Sequence, residues 1–194
     1  KIKDLFDESL CIKSPLVLDL DGDGVETTAL NNSKIYFDHD NNGYAEKTGW
    51  AGKDDGFLVI DKNNNNSIDN GLEMFGNNTS SSAANGFIAL KDYDSNNDGI
   101  INFFDKDFEK LKIWQDKNQN GITDKGELTS LYKAGIKSIS TGYNSSNITD
   151  SNGNIHKETG VFTRLNGSQG AINDVWFQVN AGRTHECLVF ERYG

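Results

Sequence analysis

Five stretches of this sequence place carboxylate, amide or hydroxyl oxygens at every second residue, the spacing that wraps a chain around a hard cation. Calcium takes six to eight oxygens at about 2.3–2.6 Å. A 12-residue loop supplies them from positions 1, 3 and 5, a backbone carbonyl at 7, position 9 and an acid at 12. Position 6 is glycine because the chain turns there with positive φ. The fifth stretch fits throughout: Asp116, Asn118, Asn120, Gly121, the carbonyl of Ile122, Asp124 and Glu127. The fourth offers Asp94, Asn96, Asp98, Gly99, the carbonyl of Ile100, Asn102, and Asp105 at position 12. Asp is one methylene shorter than Glu, so weaker or single-oxygen ligation is expected from Asp105. These two loops start 22 residues apart. They read as a compact tandem sharing one helix, closer to dockerin-like calcium repeats than to an ordinary EF-hand pair.

The other three stretches are less complete. The third has Asp61, Asn63, Asn65, Ser67 and Asp69, with Asn66 at position 6 and Leu72 at position 12. Asn tolerates the left-handed region better than most residues, and a short helix would swing Glu73 into the missing ligand position. The first has Asp19, Asp21, Asp23, Gly24 and Glu26, with Leu30 at position 12. Either Glu26 or a remote acid must complete its shell. The second has Asp38, Asp40, Asn42, Gly43, the carbonyl of Tyr44, and Glu46 at position 9. Its position 12 is Gly49, and Asp54 and Asp55 are the candidates for a remote ligand. The alternative for each stretch is an acidic turn without metal. Three carboxylates within five residues, as at Asp19, Asp21 and Asp23, repel one another and argue for a cation.

Composition agrees. The chain of 194 residues holds 20 Asp against 9 Glu, with 24 Asn and 20 Gly but 1 Pro. Disordered chains favour Glu, Lys, Pro and Ser instead, and this one keeps 11 Phe, 6 Tyr and 3 Trp for a core. Nineteen basic against 29 acidic residues give a formal charge of −10. That field repels nucleic acid and anionic membrane, which are set aside as partners. No apolar run approaches the roughly 18 residues of a membrane span. Five calcium ions would cancel the formal −10, so three to five ions are expected, and metal binding should supply folding free energy.

The elements that must carry these loops read as follows. Strands are expected at 15–20, 34–38, 56–61, 135–140, 155–164 and 174–179. Helices are expected at 70–76, 84–93, 104–114 and 125–134, the last stopped by Gly135. Residues 140–154 read as a polar loop, and 187–190 as a terminal strand. The expected fold is α+β: a small mixed or antiparallel sheet with tandem EF-hand-like calcium loops and short helices. Residues 1–14 are a lead or linker, 15–180 the module and 181–194 a tail. The chain begins at Lys1 and reads as an excised fragment, monomeric by itself. Cys11 and Cys187 either pair or stay as two thiols.

The runs PLVLDLDGDGVETT, FDHDNNGYAEKTGW, DDGFLVIDKNNN, IDNGLEMFGNNT, DSNNDGIIN and IWQDKNQNGITDKGEL resemble the self-processing module of iron-regulated RTX (repeats-in-toxin) proteins. The likeness covers about residues 14–180. It implies a module of a large toxin or adhesin-like protein, secreted by a type I system or held at the bacterial surface and folded by calcium. It also implies breakage of an Asp–Pro bond at the module's N-terminal edge. In that family the Asp carboxylate attacks its own carbonyl, giving a cyclic anhydride. Water or a lysine amine opens it, the lysine forming an isopeptide cross-link.

Here the family's scissile position is Ser14–Pro15. A hydroxyl cannot form the anhydride, so the nucleophile of the first step is missing. An N→O acyl shift through Ser14 Oγ is chemically conceivable but needs a base and strain. The leading expectation is a calcium-dependent folding module that does not cut itself. The alternatives are an autoprotease and cross-linker blocked or weakened by Ser14, and an adhesive domain that binds other domains of its parent chain or another partner. His39, His156 and His185 are scattered, with His39 expected to point outward from its loop. Trp50, Trp114 and Trp176 read as core anchors, or else as a sugar platform. Lys13, Lys34 and Lys53 read as solvated, or as cross-link acceptors in a cutting relative.

Overall fold

Two short runs with no polar residue, Leu16–Leu18 and Gly56–Ile60, are buried on both faces and stand at the middle of a sheet. The computed structural model describes residues 14–79 and 83–180. The expectations for Cys11, Cys187, Lys13, His185, the 1–13 lead, the 181–194 tail and the 187–190 strand lie outside those residues.

In chain order the strands are β1 (Leu16–Leu18), β2 (Thr27–Thr28), β3 (Tyr36–Phe37), β4 (Glu46–Lys47), β5 (Trp50–Ala51) and β6 (Gly56–Ile60). Then come α1 (Gly86–Lys91), β7 (Ile100–Ile101), β8 (Leu111–Trp114), β9 (Leu128–Ser130), β10 (Ile136–Ser140), β11 (Asn144–Thr149), β12 (Ile155–Arg164) and β13 (Gln169–Trp176). Nine strands form one antiparallel sheet, curled into a half-barrel, in the order β7-β10-β12-β13-β1-β6-β8-β9 with β11 also on β12. Two small ladders, β2–β5 and β3–β4, stand beside it.

Strand alternation divides the apolar residues between two cores. Leu16, Leu18, Leu58 and Ile60 face one way, joining Phe75, Phe87, Leu131, Ile139, Phe162 and Ile172 under α1. Val17, Phe57 and Val59 face the other way, joining Ile35, Phe37, Trp50, Trp114, Val175 and Phe177. Covering both faces explains why the central strands read as unbroken apolar runs.

The α+β expectation is therefore corrected: the fold is mostly β, and among the described residues α1 is the one α-helix. The expected helix 104–114 is a 3-10 turn at Phe108–Lys110 followed by β8. Leu111 and Ile113 are buried around a part-exposed Lys112, a period-2 pattern that a helix-spacing count absorbs unnoticed. The expected helix 125–134 holds β9, which pairs Ile113 with Thr129. Residues 144–149, expected as loop, form β11 on the edge of β12. The 84–93 helix shortens to α1, and 70–76 to one 3-10 turn at Gly71–Glu73. The acidic loops thus hang between strands and turns, so they are not EF-hands, and the fourth and fifth share no helix.

Candidate functional site

All five acidic loops take positive φ at the same two positions. Position 6 has positive φ in each: Gly24, Gly43, Asn66, Gly99 and Gly121. So has position 4, occupied by Gly22, Asn41, Asn64, Asn97 and Gln119. That second left-handed residue is a signal sequence reading missed; Asn or Gly filled it four times in five. The turn aims successive N–H groups inward. In the third, fourth and fifth loops the position-1 carboxylate accepts N–H from positions 5 and 6. These are Asn65 and Asn66 to Asp61 (3.1 and 2.9 Å), Asp98 and Gly99 to Asp94 (3.1 and 2.8 Å), and Asn120 and Gly121 to Asp116 (3.1 and 2.8 Å).

The same three loops close alike. Glu127 accepts N–H from Lys117 and Asp124, at 2.9 and 3.0 Å. Asp105 accepts from Ser95 and Asn102, both at 2.8 Å. Glu73 accepts from Lys62 and Asp69, both at 2.9 Å. In each case one acid clasps positions 2 and 9. Glu73 reaches this place from position 13 because the Gly71–Glu73 3-10 turn gains the extra residue. Asn118 and Asn120 both donate to Asp124 Oδ2 at 2.8 Å, as Asn63 and Asn65 do to Asp69 Oδ2 at 2.9 and 2.8 Å, so these oxygen-bearing side chains converge.

The expected pairing of the fourth and fifth loops is replaced by another. Ile68, position 8 of the third loop, donates its N–H to Thr123 Oγ1, position 8 of the fifth, at 3.0 Å. The fourth loop lies apart, where Thr141 N–H bonds Gly99 O at 3.0 Å and β7 joins β10. Lys112 Nζ stands 3.7 Å from Asp61 Oδ2, a positive charge that would oppose any cation brought to the third loop.

A remote acid stands beside the first loop. β1 and β6 pair Leu18 with Gly56, so the next residues outward, Asp19 and Asp55, stand side by side. Carboxylate oxygens of Asp19, Asp21 and Asp55 lie within 4.8 Å of one another, as do those of Asp21, Asp23 and Glu26. Asp55 is 1 % exposed, and while its Oδ2 accepts Glu26 N–H at 2.7 Å, its buried Oδ1 has no hydrogen-bond partner. Glu26 Oε2 is in the same condition. Burial, reinforced by Glu26, pushes the Asp55 carboxyl up to about 8. Burial also raises Glu26, as does the neighbouring Asp23. Unpartnered buried carboxylate oxygens at one point are the donor set a hard cation takes. Of the two remote acids considered for the second loop, Asp55 stands instead with Asp19 and Asp21 of the first.

The second loop has its own buried acid. Gly43 and Asn42 donate to Asp38 at 2.9 and 3.1 Å, and Tyr44 N–H donates to Asn42 Oδ1 at 2.8 Å. Glu46 is buried, and that burial, with Asp40 and Asp38 nearby, pushes it up to about 7. His39 is buried rather than outward, with Nε2 3.1 Å from Thr48 Oγ1 and its ring edge-on to Phe37.

Trp50 ties the aromatic core to the fifth loop. Fully buried between Phe57 and Trp114, it donates Nε1–H to Asp116 Oδ2 at 2.9 Å. Burial raises the Asp116 carboxyl, and the indole bond opposes that rise. Replacing Trp50→Phe leaves a small cavity and a buried carboxylate short of one donor. The expected cost is about 2–4 kcal/mol, read as a lower melting temperature at fixed calcium. Trp114 is also fully buried, so neither residue offers a sugar platform. Trp176 lies under Lys157, whose Nζ is 3.5 Å from the ring centroid. His156 bonds Asp150 at 3.2 Å. Lys34 and Lys53 are exposed.

Ser14 and Pro15 are buried at the entry to β1. Leu16 N–H donates to Phe75 O at 2.7 Å, Val175 N–H to Pro15 O at 3.0 Å, and Ser14 N–H to Asn77 Oδ1 at 3.3 Å. A cleft of about 10 Å³, room for one water, lies beside them and is lined in part by His39, Gly71 and Gly76. Among the described residues no helix is long and apolar enough to cross a membrane.

The model of the SPM domain family matches residues 16–178. Iron-regulated protein FrpA of Neisseria meningitidis serogroup C is 44% identical over 169 residues, taking in 84% of this chain. The chain spans about 15% of the length of that curated relative.

Proposed function

This chain belongs to the SPM domain family, and from that premise we propose that it is a calcium-folded module of a secreted RTX-type protein whose residue 14–15 bond stays whole because residue 14 is serine. The observation that carries the calcium reading is the shared closure: Glu127, Asp105 and Glu73 each clasp positions 2 and 9 of their own loop. Three loops of different sequence converge on one geometry that gathers oxygen and excludes nitrogen and sulfur ligands, the choice of a hard cation. The unpartnered oxygens of Asp55 and Glu26 support a further ion in the first loop. Calcium is scarce in the cytosol and abundant outside cells. A chain with formal charge −10 would stay loose before export and fold after it.

Native mass spectrometry and calorimetry test this reading. Three to five calcium ions are expected, and Glu127→Gln and Glu73→Gln should each weaken one of them. A chain that takes up no calcium refutes it.

Ring size accounts for the silent bond. Attack of Ser14 Oγ on its own carbonyl carbon would close a four-membered lactone, against the five-membered anhydride open to aspartate. The N→O shift considered for Ser14 engages the carbonyl of the preceding residue, so it would break a different bond. A second reading, a processing site lacking only its nucleophile, is favoured by the burial and pinning of Ser14 and Pro15. Ser14→Asp is then expected to restore calcium-triggered scission before Pro15.

A further inference from the structure

Asp174 is fully buried, yet it is not fully used. Its Oδ2 accepts Gly86 N–H at 2.5 Å, while Oδ1 has no partner. An anchor for the start of α1 needs one oxygen, and asparagine would supply it without burying a charge. The second oxygen therefore calls for another explanation.

Its position supplies one. β1 and β13 pair Leu16 directly with Asp174, so these two side chains share a face of the sheet. Ser14, two residues before Leu16, falls on that face as well. Ser14 Oγ is buried without an ordinary hydrogen-bond partner, and its hydroxyl is near enough to Asp174 to moderate the carboxyl's rise. The peptide between Ser14 and Pro15 is held on both sides, by Asn77 at Ser14 N–H and by Val175 at Pro15 O. We infer that Asp174 is the acid of this junction, holding the proton that the Pro15 nitrogen takes up when the bond before it breaks. Burial pushes the carboxyl up to about 7, so near neutral pH a large share carries that proton. The charged groups that face it are Glu158, opposite on β12, and Lys157 beside it, which act in opposite directions. On α1 and just ahead of β1 its neighbours Gly86 and Ser14 are uncharged.

The inference rests on the processing reading above. With a carboxylate introduced at position 14, one of its oxygens bonds to the carbonyl carbon of the same residue. The C–N bond to Pro15 breaks, and its electron pair on nitrogen takes the Asp174 proton. This leaves a secondary amine, a five-membered anhydride and an Asp174 carboxylate. Water opens the anhydride to two carboxyl groups and returns a proton to Asp174. In the present chain Ser14 starts no such sequence.

The experiment follows intact mass over time in saturating calcium, from pH 5 to 9, for Ser14→Asp and for Ser14→Asp with Asp174→Asn. Asparagine keeps an oxygen for Gly86 N–H, and circular dichroism checks its fold. The single variant is expected to split before Pro15, with a rate that falls as pH rises past about 7, because losing the Ser14 hydroxyl and gaining a neighbouring carboxylate both raise Asp174 further. The double variant should be slower by about 100-fold or more and lose that limb. Equal rates in the two variants overturn the role of Asp174 and leave the processing reading standing. If the double variant does not fold, the single variant decides alone: a falling limb at or above about 7 supports the role, and a rate flat from pH 5 to 9 overturns it. A single variant that stays whole defeats both.

Discussion

Chelating calcium should melt most of the sheet at room temperature, and restoring it should bring the sheet back. A site of Kd about 10 µM, within the range of known loops of this kind, contributes about 2.7 kcal/mol at 1 mM free calcium. Three such sites supply about 8 kcal/mol, against a total domain stability of about 5–15 kcal/mol. The loops also sit where their loss spreads. The first joins the paired ends of β1 and β6, the third leaves β6, and the fifth connects β8 to β9. Without the ion, Asp19, Asp21, Asp23, Glu26 and Asp55 repel across a few ångströms, and burying Asp55 and Glu46 as anions is opposed by desolvation. Far-UV circular dichroism and melts in 1 mM calcium, 1 mM magnesium and chelator check this. Magnesium should rescue little, because it demands six ligands at about 2.0–2.1 Å in near-octahedral array. Equal melting temperatures with calcium and with chelator would remove the basis of the reading.

The candidate ligands were legible because they are local: a period of two in short oxygen-bearing side chains survives whatever the rest of the fold does. Glu73 could be found one step beyond its expected place because a single turn moves an acid by one residue. Asp55 could not be assigned, because its partner loop is fixed by the register of β1 on β6 and not by sequence distance. The secondary structure was lost for a related reason. Residues 104–114 carry Phe104, Phe108, Leu111 and Ile113, which satisfy a helical count, but Phe104 is 70 % exposed and only the last two are core residues. β-pairing to residues 51 to 57 positions away decided that segment, and no local propensity records it. Asp174 was invisible for the same cause. In sequence it is one acid before an apolar run; only pairing with Leu16 brings it to the 14–15 junction.

Gly71→Ala is expected to damage two loops at once, and by more than its size suggests. A methyl group at Gly71 would stand 1.8 Å from His39 O, a backbone atom with no freedom to withdraw alone. Gly71 N–H also donates to Asp38 O at 2.9 Å, so the 3-10 turn and the first residues of the second loop are clamped together. Separating them breaks that bond and shifts Glu73, two residues on, away from Lys62 and Asp69 N–H. Asp38 and His39 move on the other side, and with them the cleft beside Ser14 and Pro15. Overpacking of this kind plus the lost hydrogen bond should cost about 2–4 kcal/mol. The matched control is Gly126→Ala, where φ is +91° but nothing lies within 4 Å of the added carbon. Its cost should be confined to backbone strain, about 1–2 kcal/mol. Thermal melts at fixed calcium order the two variants, and calorimetry separates the mechanisms. Gly71→Ala should weaken ions at the second and third loops together, whereas Gly126→Ala, next to Glu127, should weaken the fifth alone. Independent loss at only one loop in Gly71→Ala would mean that the two loops are not coupled through this contact.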